Sequence, residues 1–219
     1  HHFYLQLAAH IGYRTYQEIC ESTWPAEAVY AALLYPERVQ EIERFFRIRV
    51  KSRSVLKSLD FADLVRRVRE VSDRFIDGMD WSRYGLLGFT ICLCQFTASL
   101  YFIERIKQRH NDIPIVVGGS MFAGDALRNL LAAVPQIDFG INGEGEAPLQ
   151  RLVAHLRSPS PNVAPVEIPG VVMRSEDETD NRPGRNQIKD LSDLPLPDFD
   201  DYFQLLNRLP AHQRFFPTL

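Results

Sequence analysis

The chain has 219 residues, enough for one or two domains with a buried core. Hydrophobic residues make up 45% and charged residues 24%, as in ordinary globular proteins, and a net charge of −3 excludes the strongly basic footprint of many nucleic-acid-binding domains. We expect no membrane partner and no signal peptide, because no apolar run reaches the ~18 residues of a membrane span.

The first 80 residues are predicted to form one strand followed by helices. Residues 3–7 alternate in the way a short strand does, and helical spacing of apolar residues follows from Tyr13 to about Phe75. Asp60 is predicted to begin a helix. A basic cluster that starts at Arg47 is interpreted as a solvated helix face, because acidic residues elsewhere balance it.

From Tyr84 onward, apolar strands alternate with amphipathic helices. Such alternation indicates a parallel sheet covered on both faces, so the predicted fold class is α/β with a Rossmann-like (flavodoxin-like) parallel sheet and a helical N-terminal elaboration. Residues 170–173 are predicted to form a further short edge or hairpin strand. The predicted strands cover residues 86–93, 113–117 and 137–141, and the predicted helices cover residues 97–110, 125–134 and 148–156.

Candidate binding residues follow the strands, because parallel α/β sheets bind ligands at the carboxyl ends of their strands. Gly118 and Gly119 would let a ligand approach the backbone, although a structural turn explains them equally well. Gly143-Glu144-Gly145-Glu146 precedes a helix, and its glutamates either accept hydrogen bonds from a ligand or cap that helix. Neither of the common glycine-rich phosphate-binding patterns occurs.

Three cysteines, Cys20, Cys92 and Cys94, are too few for a disulfide framework and predict a reducing, cytoplasmic location. Cys92 and Cys94 are predicted to lie on one face of a strand as small buried core residues. No further ligand lies near them in the sequence, so no metal site is predicted.

Four segments in order carry a family resemblance: VVGGSMF, IDFGINGEGEAPLQRLVAHL, IPGVVMR and DLSDLPLPDFDDYF. Together they resemble the cobalamin-binding radical-SAM family, most closely its RiPP-maturation subgroup, which includes C-methyltransferases. The resemblance covers at least Leu86 to Phe203. It implies a second-strand fragment with a helical elaboration in residues 1–80, a Rossmann-like cobalamin-binding core in 81–175, and a tether in 176–219 toward an absent radical-SAM barrel.

The resemblance also implies cofactors and chemistry. Complete enzymes of this kind hold a [4Fe–4S] cluster and S-adenosylmethionine in the barrel, and methylcobalamin supplies a methyl group to a substrate such as a RiPP precursor peptide. The implied partners are therefore cobalamin, the barrel domain and a peptide substrate. Carried onto matching positions, the cobalamin-binding residues are Thr90, Gln95, Gly118, Gly119, Ser120, Gly143, Glu144 and Gly145.

Three departures from the family pattern bear on activity. No C-x-x-x-C-x-x-C triplet occurs in the chain, so cluster ligands are absent and we expect no radical chemistry from this chain alone. Around His10 the D-x-H-x-x-G pattern of cobalt ligation is missing, which favours binding without a histidine ligand. If residues 3–7 are the second strand of the family's sheet, its usually central first strand is missing.

Two other functions remain open on the sequence. The chain could be a degenerate α/β interaction domain that binds a peptide or a partner enzyme and no cofactor. A response-regulator-like or flavin-binding domain is disfavoured, because the sequence shows neither an acidic cluster near the first strand nor a phosphate loop.

Overall fold

The chain divides into two compact units. The computed structural model describes residues 2–52, 54–122, 125–158, 168–174, 187–188, 190, 192 and 194–208. One unit comprises His1–Gly78 together with Asp190–Leu219, and the other comprises Met79–Lys189. The described part of the first unit is helical, whereas every described strand lies in the second. We call them the helical unit and the sheet unit. The fold class is α/β.

Seven described α-helices form the helical unit, with a short 3-10 turn at Pro36–Arg38. None of the described helices of the chain is both long and apolar enough to cross a membrane. The helices are α1 (His2–Ile11), α2 (Tyr13–Cys20), α3 (Thr23–Leu34), α4 (Val39–Arg49), α5 (Ser54–Lys57), α6 (Phe61–Asp77) and α10 (Asp200–Arg208).

The predicted strand at residues 3–7 is wrong, because these residues lie in α1. Leu7 and Ile11 are buried one helical turn apart, and the ring of Phe3, a turn earlier, lies 5.3 Å from that of Phe75 on α6. Phe3, Leu7 and Ile11 thus form one apolar stripe at the i, i+4, i+8 spacing. A five-residue alternation is too short to distinguish this stripe from a strand. The missing first strand was inferred from this assignment and loses its basis.

The predicted helix start at Asp60 is confirmed. Asp60 is the N-cap of α6, and its carboxylate accepts a hydrogen bond of 3.1 Å from the backbone N–H of Asp63. This bond satisfies one of the N–H groups that the first turn of a helix leaves without a partner.

We expect Asp60→Ala to lower the free energy of unfolding by about 1 kcal/mol, because the capping acceptor is lost. Chemical denaturation followed by circular dichroism would measure the change. Arg69→Ala truncates an exposed side chain in the interior of α6 and serves as the control. Equal losses in the two variants would contradict a capping role for Asp60.

The core of the helical unit is centred on two phenylalanines. Phe46 of α4 and Phe61 of α6 are both fully buried, and their ring centroids are 4.8 Å apart. Between α3 and α6, the hydroxyl groups of Tyr30 and Ser72 form a buried hydrogen bond of 3.0 Å. The core therefore combines aromatic packing with one satisfied polar pair.

The sheet unit contains four described strands in the order β1-β2-β3-β4. β1, β2 and β3 are parallel, and β4 pairs with β3 in the antiparallel direction, at the edge where residues 170–173 were predicted. The strands are β1 (Leu87–Thr90), β2 (Ile115–Gly118), β3 (Phe139–Ile141) and β4 (Val171–Met173), and the helices are α7 (Phe96–Lys107), α8 (Asp125–Ala133) and α9 (Glu146–Arg157).

Helices cover both faces of most of the sheet. Ile103 of α7 and Leu127 of α8 belong to the core cluster on one face, with Ile115 and Val117 of β2. Two crossovers that step in the same direction along a sheet place their helices on the same face. On the opposite face, Leu152 of α9 packs in a second cluster that includes Val116, Phe139 and Ile141. The predicted alternation of strands and helices is confirmed.

The prediction of a buried first strand is wrong in part. Leu87 and Phe89 are half-buried, but Gly88 and Thr90 are exposed, whereas every residue of β3 is buried. β1 lies at the edge of the sheet, and the core cluster that contains α9 includes residues of β2, β3 and β4 but none of β1. One face of β1 is therefore open to solvent.

Candidate functional site

The loops after β1, β2 and β3 meet at one edge of the sheet, because these strands are adjacent and parallel. We call this edge the carboxyl rim. Thr90 ends β1 beside Gly118, its register partner at the end of β2. A β-carbon at Gly118 would lie 3.5 Å from Cβ of Ile141, the last residue of β3. The structure thus brings the ends of the three strands together.

Gly119 allows the first two loops to pack closely. Its φ is +118°, and a β-carbon there would lie 2.5 Å from the carbonyl oxygen of Ile91. Ile91 in turn donates its backbone N–H to the carbonyl of Gly118 at 2.7 Å. The need for glycine at this position therefore comes from contact between two loops of the protein itself. A ligand is not required to explain it.

Ser120 connects the same two loops through Cys92, and Gln95 contacts Cys92 within the first of them. The hydroxyl of Ser120 lies 3.6 Å from Sγ of Cys92, and Oε1 of Gln95 accepts the backbone N–H of Cys92 at 3.3 Å. Ser120 and Gln95 are exposed, so both keep capacity for hydrogen bonds to a ligand. Together with Thr90, they supply two hydroxyl groups and an amide at the carboxyl rim.

The prediction that Cys92 and Cys94 are buried on a strand is wrong. β1 ends at Thr90, and Leu93–Gln95 forms a 3-10 turn. Cys92 precedes this turn and is half-buried, and Cys94 lies in it and is exposed. When an apolar run continues beyond the end of its strand, the sequence pattern does not show where the strand ends. No group of three or more potential metal ligands occurs among the described residues.

The third loop contains Gly143, Glu144 and Gly145. Gly143 has φ +94°, a conformation that favours glycine, and Gly145 is the N-cap of α9 but has no side chain that could cap it. The carboxylate of Glu144 accepts a hydrogen bond from the backbone N–H of Ile188. Sequence reasoning missed this contact, since nothing in the pattern links residues so far apart.

A charged pair that the sequence did not reveal lies at the opposite edge of the sheet. The ammonium group of Lys107, on a buried side chain, is 3.0 Å from Oδ2 of Asp138. The same oxygen accepts the backbone N–H of Ile115 at 2.8 Å, and Lys107 also donates to the carbonyl of Asn111. The pair ties the end of α7 to the starts of β2 and β3, which is a structural role.

No histidine in the described part of the sheet unit lies at the carboxyl rim. His110 follows α7 at the opposite edge, and His155 lies in the last turn of α9, which starts at the rim. His10 belongs to the helical unit, where it lies 3.2 Å from a carboxylate oxygen of Glu70.

The helical unit contains a half-buried phenol whose titration the sequence did not single out. Burial raises the pKa of Tyr16 far above its ordinary value, and a hydrogen bond with Cys20 and the nearby phenols of Tyr4 and Tyr30 raise it further. The rings of Tyr4 and Tyr16 are stacked, with centroids 6.3 Å apart. Tyr16 therefore stays neutral and acts as a packing and hydrogen-bonding group.

No protein-family model matches the chain, and no curated protein matches it. A functional proposal for the carboxyl rim therefore depends on the geometry of its residues and on the sequence resemblance.

Proposed function

We propose that the sheet unit is a Rossmann-like (flavodoxin-like) cofactor-binding domain whose carboxyl rim binds cobalamin. The observation that carries the proposal is the meeting of three loops, after three adjacent parallel strands, at one edge of the sheet. Ligands of open α/β sheets bind at this edge. The four sequence segments that resemble the cobalamin-binding radical-SAM family, in the same order, support cobalamin as the ligand, within a radical-SAM enzyme.

The polar groups of the rim suit the periphery of a corrin, which carries several amide groups. Thr90, Gln95 and Ser120 offer exposed hydroxyl and amide groups that can both donate and accept hydrogen bonds. Glu144 and Glu146, by contrast, place negative charge beside the start of α9, which would repel a free phosphate. The donor set therefore favours a large amide-bearing ligand over a nucleotide phosphate.

The chain's own contribution would be to hold and orient the cofactor. Gly118, Gly119, Gly143 and Gly145 keep side chains away from the rim, while the polar side chains above contact the ligand. When bound, cobalamin would supply a cobalt-carried methyl group. Methyl transfer to a peptide would further require the radical-SAM barrel with its [4Fe–4S] cluster and S-adenosylmethionine, since this chain lacks the cysteine triplet. We infer a cytoplasmic setting from the three free thiols.

Anaerobic mixing with hydroxocobalamin tests the proposal directly. After removal of free ligand, the absorbance spectrum of the protein fraction should show a retained corrin at close to one equivalent per chain. Circular dichroism on the same sample establishes whether the protein is folded. A well-folded chain that retains no corrin would contradict the proposal.

Glu144→Ala is expected to weaken corrin binding by about tenfold, because a carboxylate that accepts a hydrogen bond from a buried ligand contributes about 1.5 kcal/mol. Equilibrium titration monitored by absorbance would measure the change. Asp112→Ala removes an exposed carboxylate ahead of β2, at the edge opposite the rim, and is the control, while Glu144→Gln keeps an acceptor for Ile188. Unchanged affinity in Glu144→Ala would limit Glu144 to its contact with Ile188.

A second candidate is a non-catalytic interaction domain that binds an extended peptide. The half-exposed β1 favours this candidate. Leu87 and Ile91 donate their backbone N–H groups toward β2, so the N–H and C=O groups of Gly88 and Thr90 point away from β2. No described strand pairs with that side, so a peptide could add a strand there. Stoichiometric retention of corrin would exclude a domain that binds no cofactor.

A further inference from the structure

One surface of the helical unit is both aromatic and basic. The guanidinium carbon of Arg49 lies 5.7 Å from the ring centroid of Trp24 and 5.0 Å from that of Phe45. Trp24 is 45% exposed, and Ile48, next to Arg49 on α4, is 54% exposed. We call this surface the basic face and define it by Trp24, Arg44, Phe45, Ile48, Arg49 and Lys51.

The cations of the basic face have no carboxylate partners among the described residues. Arg44, Arg49 and Lys51 are exposed, whereas Arg47 on the same helix pairs with Glu43 at 2.9 Å and donates to the carbonyl of Leu59. Arginine stacked on an exposed tryptophan is a combination enriched at protein interfaces. The face therefore offers positive charge around an apolar centre.

A second surface of the same unit has the opposite character. Leu196 is 92% exposed, Phe199 59% and Phe203 51%, at the end of the chain's described part. Three aspartates are interspersed among these residues: Asp198, Asp200 and Asp201. We call residues 196–203 the acidic segment.

The conformation of the acidic segment is restricted before any contact forms. Oδ1 of Asp198 accepts the backbone N–H of Asp200 at 2.8 Å, which sets the start of α10. Pro195 and Pro197 restrict the backbone ahead of it, so less conformational entropy is lost on binding. The apolar side chains are thus presented in a limited set of positions.

We propose that the basic face binds the acidic segment of a second copy of this chain. The charges are complementary, three cations against three aspartates, and exposed Trp24 and Ile48 can pack against exposed Leu196, Phe199 and Phe203. Both surfaces are exposed within one copy, so neither covers the other there. The contact joins two different surfaces, so it is heterologous and produces a ring or an open chain of copies. It does not depend on a bound cofactor.

The test is sedimentation of the 219-residue chain over a range of concentrations, at low and high salt. We expect oligomers that dissociate as salt rises, because the contact is largely electrostatic. Arg49→Glu and, separately, Asp201→Lys should each weaken association by about tenfold or more. Arg69→Glu reverses an exposed charge on α6, outside both surfaces, and should leave association unchanged. Circular dichroism checks that each variant is folded.

Mixing the two charge-reversed variants distinguishes this arrangement from other dimers. The Arg49→Glu copy keeps a normal acidic segment, and the Asp201→Lys copy keeps a normal basic face. Their equimolar mixture should associate where neither variant does so alone, because it contains one unaltered contact and the two reversed charges also attract each other. A wild-type chain that stays monomeric would overturn the proposal, as would oligomers insensitive to both variants. Binding of single-stranded DNA by the basic face without self-association would also overturn it.

Discussion

Gly119→Ala is expected to lower the free energy of unfolding by about 3 kcal/mol. A β-carbon at this position would lie 2.5 Å from the carbonyl oxygen and 2.8 Å from the nitrogen of Ile91, both of which are backbone atoms that cannot turn aside. The φ of +118° adds strain of its own for any residue with a β-carbon. Thermal or chemical unfolding, followed by near-ultraviolet circular dichroism, would measure the loss.

Gly85→Ala is the matched control, because a β-carbon there meets no atom within 4 Å. We expect its stability to stay within about 0.5 kcal/mol of wild type, as for most surface substitutions. If both variants lost the same stability, the close packing of the loops after β1 and β2 would not be the cause. Corrin retention by Gly119→Ala, measured at a temperature where the variant is folded, would separate stability from binding.

Phe61→Ala is expected to lower the free energy of unfolding by about 4 kcal/mol, the usual range for a fully buried phenylalanine. The side chain is fully buried, and its ring packs against that of Phe46. Truncation leaves a cavity between α4 and α6 that these two helices cannot fill without moving closer together. Denaturation followed by far-ultraviolet circular dichroism, to which the helices of both units contribute, would measure the loss.

Tyr35→Ala serves as the control, because it also truncates an aromatic side chain of the helical unit, but one that is largely exposed. We expect a loss of less than about 1 kcal/mol for it. Comparable losses in the two variants would mean that the Phe46–Phe61 pair is not the centre of this core.

The sequence predicted the sheet unit better than the helical unit for a physical reason. An inner strand of a parallel sheet is buried on both faces, so it appears as a continuous apolar run, and each crossover helix shows its own period. This combination located β2, β3, α7, α8 and α9. In α1 the same reasoning failed, because the five residues 3–7 fit both periods and only Ile11 completes the helical stripe.

Within the candidate site, the sequence could locate loops but not contacts. Gly118 and Gly119 were found because glycines after an apolar strand mark a special backbone. Glycine is needed at position 119 because the backbone there lies close to Ile91. This contact depends on how two loops pack, so the sequence of either loop alone does not reveal it. The hydrogen bond from Ile188 to Glu144 and the pairing of Lys107 with Asp138 likewise join residues distant along the chain.

The two-segment composition of the helical unit constrains the order in which the protein can mature on the ribosome. Its first segment, His1–Gly78, is translated before the sheet unit, and its second segment, Asp190–Leu219, is translated after it. The sheet unit lies between them as one continuous stretch and can fold as soon as it is complete, as domains generally do. Closing the helical unit then brings together ends separated by the whole sheet unit, at an entropic cost that grows only slowly with that separation. The helical unit can thus be completed only after the sheet unit has been translated.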